Sequence, residues 1–529
     1  MKKAFLRFAA LITVLCLLLT GCSLPGIYGG THFKDMLYTR PSLPELNASA
    51  ERCIELAQSD ASLVEDLWEQ IAVFFALYSD FYTQYLLSYV HYCQDMTDLY
   101  WVEEYNYCEE KTPQAQTVRD RLLHELAKCP LREELEAEEY FGENYFDDYD
   151  GESIWTDEFQ DLKEQEAALL AEYYQILQES DTDSTYTEEY FSGAGQALEE
   201  LYLQLILLRQ QMARSADYDS YPEFAFERLF YRDYTVENAA VLCGQISQEL
   251  SPLYRQLEAS GFWQKGIYAS DRWQTFRYLH TMAINVGGQI ERALELMSKN
   301  DLYDISDSKN KYNSSFEVYF YDYDQPYVFL SPTGTELDHL SFAHEFGHFC
   351  NDYVSGGSVA GIDTAEVFSQ GMEYLSLIYS DPSQELKLHK LADSLCVYVE
   401  QAAYSSFEQQ VYTLDPEELT VQRIRDVFEQ TCEDFGLDCW ELDSRSYTTI
   451  SHFFTQPFYV ISYVVSNDAA FQLYQLEQQE QGAGLQIYLD NLDTEQEDFL
   501  PFLEEAGLES PFLEDRIPKV AQTLENALL

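Results

Sequence analysis

A mainly helical protein with one small β element is the fold class that this 529-residue sequence predicts. Three observations predict it. Apolar residues recur at helical spacing along most of the chain, as in Leu63, Leu67, Ile71, Phe74 and Tyr78. Two short β-prone runs, Ser315–Tyr321 and Tyr327–Ser331, break that texture, joined by the turn-like Asp322 to Pro326. Directly after this predicted hairpin stands "HEFGH", His344 to His348.

The chain begins with Lys2, Lys3 and Arg7 before an apolar run from Phe8 to Leu19. That run is too short to span a bilayer as a mature helix. It ends in Leu19-Thr20-Gly21-Cys22, the pattern of a bacterial lipobox. Residues 1–21 are therefore expected to be a lipoprotein signal peptide and Cys22 the lipid-modified residue, with 22–50 as a tether. The body is expected outside the cytoplasm, attached to the membrane through that lipid alone.

The formal net charge is −62 before three signal-segment cations are removed. Such acidity argues against nucleic acid and anionic lipid as binding surfaces. It does not signal disorder, because 46% of residues are hydrophobic and 15% aromatic. An acidic solvated shell around an aromatic-rich core is expected. Of 11 cysteines, nine lie beyond Cys22, scattered and without a CxxC. They are read as buried free thiols, with Cys432 and Cys439 as the best-spaced pair if any forms.

Long helical patterns cover roughly 159–179, 197–214 and 236–259. Residues 51–204 form an N-terminal helical region and 205–529 a second domain. The acidic stretch around Gly151 is not an EF-hand, since aligning that glycine puts Phe146 at the first ligand position.

Pro332-Thr333-Gly334 ends the second strand, and Thr335 stands three residues before Asp338, the spacing of a capping box. A helix is expected from about Glu336. His344 and His348 are then i and i+4, so both imidazoles project from one side. That spacing suits one tetrahedral zinc at about 2.0–2.1 Å from each nitrogen. Glu345 beside them can take a proton from water without being a ligand. Histidine is rare, 9 of 529. Composition alone gives on the order of 0.01–0.02 chance HExxH matches, so a metal site outweighs a polar surface pair. His339 and Cys350 are read as structural. A third ligand comes from "GIDTAEVFSQGMEYLSL", where Glu366 and Glu373 are i and i+7 on one helical face. Asp363 is a weaker candidate, and spacing alone does not choose between the glutamates.

His452, Gln456, Tyr459 and Tyr463 are spaced to line a helical face, with Pro457 marking the helix start and His452 on the entry turn.

These segments resemble the thimet oligopeptidase and oligoendopeptidase F family, the M3 zinc metallopeptidases. "PYVFLSPTGTELDHLSFAHEFGH" looks like its strand, turn and metal helix. "TAEVFSQGMEYL" is similar to the segment bearing its third ligand, and "ISHFFTQPFYVISYVVSNDAA" to its late His and Tyr segment. "MARSADYDSYPEFAFERLFYRDYT" is similar to the stretch that opens its catalytic region. The resemblance runs from about 205 to the end. It implies a gluzincin-type zincin fold, two helical lobes around a deep substrate channel. It implies one Zn2+ per chain on His344, His348 and Glu366, with Glu373 beyond the ligand shell. It also implies Glu345 as general base and His452, Tyr459 and Tyr463 steadying the tetrahedral intermediate. The path from His348 to Glu366 is shorter than the family's pattern, which keeps Glu373 as the alternative ligand. The function implied is a monomeric zinc oligoendopeptidase that hydrolyses short unfolded peptides outside the cytoplasm. The rival readings are a non-catalytic peptide-binding lipoprotein and an endopeptidase acting on larger proteins.

Overall fold

The computed structural model describes residues 30–59, 63–137, 140–149, 156–179, 187–264, 266–357, 361–440, 442–494 and 496–529. The lipobox and Cys22 lie outside the described residues. Two compact units emerge, neither continuous in sequence. The first runs to Trp155 and resumes over Ala269–Val359; the second comprises Thr156–Tyr268 and Ala360–Leu529. Both are mainly helical, and no described helix is long and apolar enough to cross a membrane.

In the first unit, helices Leu43–Ala57, Val64–Gln94 and Leu99–Ala127 pack on one another. The Ser42 hydroxyl and the Asp98 carboxylate accept the first free backbone N–H groups of the helices that follow them. The predicted periodic face is the buried one: Leu67, Ile71 and Phe74 are inaccessible, beside Leu46, Ala50, Leu122 and Leu126. Leu63 departs from it. It is the N-cap, outside the first turn, and remains exposed.

The resumed segment supplies helices Arg272–Val286 and Gly288–Lys299 and a three-stranded sheet. Asp271 and Gln274 form a capping box at the first of these helices. The sheet order is β1 (Tyr303–Asp304), β3 (Gln325–Phe329), β2 (Phe316–Phe320). β1 runs parallel to β3, and β2 pairs antiparallel with it. The hairpin forms where expected, but its link is tighter than the predicted 322–326. A single turn, Tyr321–Tyr323, is followed by Asp324 at φ 51°, a left-handed position that aspartate tolerates better than most. Pro326 is therefore in the strand, opposite Tyr319. Its missing N–H costs no pairing there, because β1 reaches only Val328 and Phe329. The helix Leu337–Ser355, which carries His344 and His348, packs on β2, β3 and both preceding helices.

In the second unit, the predicted 236–259 helix is broken. It runs Val236–Glu249 and restarts over Ser251–Ala259, because Pro252 has no N–H to continue the ladder and fits a first helical turn. The helix Ile362–Tyr379 lies along Ile461–Gln479. Gly371 permits that approach: a Cβ there would sit 3.2 Å from Leu473 Cδ1 and from the Tyr488 ring. The nine described cysteines are all free thiols. The Cys432–Cys439 bond does not form. Cys432 is buried on the helix Val421–Phe435, and Gly436, at φ 84°, turns the chain away before Cys439.

Candidate active site

The helix bearing the HEFGH motif is anchored differently from its sequence pattern. Its N-cap is Glu336, which makes no side-chain cap bond. Asp338 instead reaches backward: Oδ1 accepts from the Thr333 N–H at 2.7 Å and the Thr333 hydroxyl at 2.8 Å, and Oδ2 from the Gly334 N–H at 2.9 Å. Thr335 Oγ1 accepts from the Leu337 N–H at 3.3 Å. The Thr335–Asp338 capping box is thus replaced by a carboxylate tie between the helix and the turn that leaves β3.

One turn on, His339 is buried, stacked on Tyr278 at 4.6 Å with its Nε2 2.8 Å from Ser270 Oγ. Burial lowers its pKa to about 4, against the opposing charge of Asp338. The unfolded chain, with a value near 6.5, then binds this proton more readily than the folded one. Stability should be full above pH 6.5 and fall as pH drops toward 4. Denaturant unfolding across that window should show a steeper acid loss for wild type than for His339→Gln; equal slopes would remove His339 as the cause.

His344 and His348 follow on the same helix, half-buried, with ring centroids 5.2 Å apart. Glu345 between them is buried at 8% exposure. Cys350 is fully buried, a core residue as read from the sequence.

An acidic pair, Glu317 and Asp352, was not foreseen. Burial, then the charges of Asp352 and Glu345, pushes the Glu317 carboxyl well above the ordinary carboxylate range, and it hydrogen-bonds Asp352. Glu317 lies on β2 two residues before Tyr319, and strand alternation puts both on one face. Asp352 is i+7 from Glu345. Helical spacing from Glu345 could have found Asp352, but no sequence pattern pairs Glu317 with it.

On the helix Ile362–Tyr379, the buried Glu366 carboxylate is fixed at both oxygens. Oε2 accepts from Ser369 Oγ at 2.8 Å and Oε1 from the Tyr459 hydroxyl at 2.8 Å. Glu373 is held elsewhere, with Lys390 Nζ 2.7 Å from Oε2. Asp363 faces Arg232 at 3.6 Å.

Three of the four late-segment residues come together. Tyr459 and Tyr463 ring centroids are 5.1 Å apart, and His452 lies 5.5 Å from Tyr459 and 5.8 Å from Tyr463. The Tyr463 hydroxyl is 3.5 Å from His452 Nε2. Gln456 is exposed. They do not share one helix. His452 is on the short helix Ser451–Thr455, and the next begins at Ile461 rather than at Pro457. Between them Phe458 adopts φ 68°. Burial lowers the His452 pKa, opposed by the charge of Glu366. Burial and then Glu366 raise the Tyr459 phenol far above its usual value, so it stays a donor.

Among the described residues, His344, His348 and Glu366 form a group that could hold a metal, with their ligand atoms within 4.8 Å of one another. Two imidazoles and a carboxylate are a donor set that suits zinc with an open fourth position. Glu373 is not in that group.

Residues 33–153 match the Peptidase M3 N-terminal domain, and residues 291–494 match Peptidase family M3. The second segment contains every candidate site residue named above on the HEFGH, Glu366 and late-segment helices. No curated protein sequence matches the chain. Among solved structures, PZ peptidase A with an inhibitor aligns at TM-score 0.81 and 19% identity, over 94% of this chain and 99% of that one. A chain assigned as an oligoendopeptidase F from Bacillus anthracis str. Ames aligns at 0.80 and 20%, over 94% and 98%. Oligoendopeptidase F from Enterococcus faecium aligns at 0.58 and 13%, over 92% and 96%. At these identities the likeness is one of fold. Fold and family segments together define a peptidase. The chain carries Peptidase M3 family domains in both matched segments.

Proposed function

We propose that this chain is a zinc-dependent oligoendopeptidase that hydrolyses internal bonds of short peptides outside the cytoplasm. The observation that carries the reading is the His344, His348 and Glu366 group, with Glu345 buried next to the first histidine. The family segments support it, and so do the oligoendopeptidase names of the structural neighbours. Zinc, when bound, would lower the pKa of a water toward about 7 and polarise the scissile carbonyl.

The chain's own residues supply the rest. Glu345 takes the proton of the attacking water and delivers it to the leaving amine nitrogen. The Tyr463 hydroxyl and His452, held neutral by burial, donate to the carbonyl oxygen as it gains charge. The sequence reading gave Tyr459 that same task. Its hydroxyl is committed to Glu366, so we assign it to orienting the carboxylate ligand. Lipidation at Cys22 and attachment to the outer face of a membrane complete the proposal, on the lipobox pattern.

Mature protein should bind about one zinc per chain. It should cleave quenched peptides of roughly 6–20 residues, the scale a confined site admits. A chelator should stop cleavage and zinc restore it. Equal cleavage of folded proteins would favour the larger-substrate reading; zinc binding with no cleavage of any peptide would favour a binding lipoprotein.

A further inference from the structure

The residue before Tyr459 holds a backbone conformation that its type disfavours. Phe458 has φ 68°, and a bulky side chain at positive φ is an outlier. Such conformations persist where the surroundings over-determine them, and they concentrate at functional sites. Here both polar groups of the Phe458 backbone are held by ionisable side chains. Its N–H donates to both oxygens of Glu408, at 3.0 and 3.1 Å. Its carbonyl accepts from Arg232 Nη2 at 2.9 Å. The same Arg232 nitrogen donates to Ser462 Oγ at 2.8 Å, in the first turn of the following helix. The clamp therefore brackets Tyr459 from Phe458 to Ser462.

The ring of Phe458 closes the arrangement. It is 1% exposed and packs against Tyr412 at 5.2 Å, Tyr221 at 6.0 Å and Phe226 at 6.3 Å. With the ring seated and the peptide gripped on both sides, the chain leaves Phe458 in one direction. Along that direction the Tyr459 hydroxyl lies 2.8 Å from Glu366 Oε1.

We propose that Glu408 is a positioning residue: by holding the Phe458 peptide in its left-handed conformation, it sets the Tyr459 hydroxyl on Glu366. This rests on the peptidase reading for its effect on rate, but not for its geometry. Glu408 is fully buried on the helix Ala402–Tyr412, and its hydrogen bonds go to the Phe458 N–H. A buried carboxyl is a costly way to cap one peptide unless the peptide's orientation matters. Burial pushes this carboxyl up to about 8 against the charges of Arg209 and Arg232.

The test compares Glu408→Ala with Glu408→Gln. Glutamine keeps a carbonyl oxygen to accept the Phe458 N–H; alanine does not. Glu408→Ala should lower kcat by about 10²-fold, the scale of a 1 Å misplacement, with KM little changed. Glu408→Gln should restore most of it. A crystal structure of Glu408→Ala should show Phe458 at negative φ and the Tyr459 hydroxyl off Glu366. Wild-type kcat in folded Glu408→Ala, or an unmoved Tyr459, would overturn the proposal. If Glu408→Ala does not fold, Ser462→Ala loosens the other end of the clamp. It should then lower kcat without raising KM, and wild-type kcat there would also overturn the proposal. If wild type itself cleaves no peptide, the peptidase reading fails, and the Tyr459 position in the variants alone decides this inference.

Discussion

Glu345→Gln should lower kcat for peptide cleavage by about 10²–10⁴-fold, the range for loss of a general base. Zinc content should remain about one per chain. The two outcomes separate because of where Glu345 stands. It is one residue from His344 on a helix whose N-terminal turn is tied by Asp338 to the turn that leaves β3, so the isosteric amide leaves both imidazoles in place. Glutamine retains shape and hydrogen bonding but accepts no proton. The buried surroundings sharpen the loss, since bulk water does not freely reach an 8% exposed side chain to substitute as base. Peptide turnover and metal content measured on the same preparation check this. Unchanged turnover would remove Glu345 as base, and loss of zinc would make it a ligand or a structural support for one. A fall in kcat with zinc retained would also count against the non-catalytic binding reading, because a pure binder has no turnover to lose.

Much of this site was legible in the sequence because its parts lie on regular elements. His344, Glu345 and His348 needed only helical spacing, and the core face of Leu67, Ile71 and Phe74 needed only periodicity. The rest depends on partners remote in sequence. Nothing near Phe458 signals its positive φ, which Glu408 imposes from 50 residues away and Arg232 from 226. Pro457 looked like a helix start because proline suits a first turn, but that peptide grip delays the helix to Ile461. The Thr335–Asp338 spacing fitted a capping box, yet a short carboxylate can equally turn back to a preceding loop, and the Gly334 turn offered it free N–H groups. Glu317 was overlooked because a single glutamate in a strand carries no signal until Asp352 is brought beside it.

The choice between Glu366 and Glu373 shows the same limit, and a crossed pair of measurements decides it. Both are buried on one helix, seven residues apart, so no pattern separates them. Their partners do. Glu366 accepts from two neutral donors, Ser369 and Tyr459, which orient a carboxylate without neutralising it. Glu373 already faces a cation: Lys390, 1% exposed, whose ammonium is stabilised in charged form by Glu373 and then Asp393 despite burial. Glu366→Ala should therefore weaken zinc binding by more than the roughly 10–100-fold that loss of an outer partner costs, while the metal-free protein unfolds near its wild-type midpoint. Glu373→Ala should do the reverse. It strands a buried ammonium, an effect of about 3–5 kcal/mol in stability, with Asp393 at 3.1 Å offsetting part of it. Competitive zinc titration and urea unfolding in chelator read the two axes independently. Glu373→Gln, which spares some stability, provides the zinc measurement should the alanine variant not fold. Zinc lost from Glu373→Gln and kept by Glu366→Ala would reverse the ligand assignment, and Tyr459 would then be holding a carboxylate with no metal to serve.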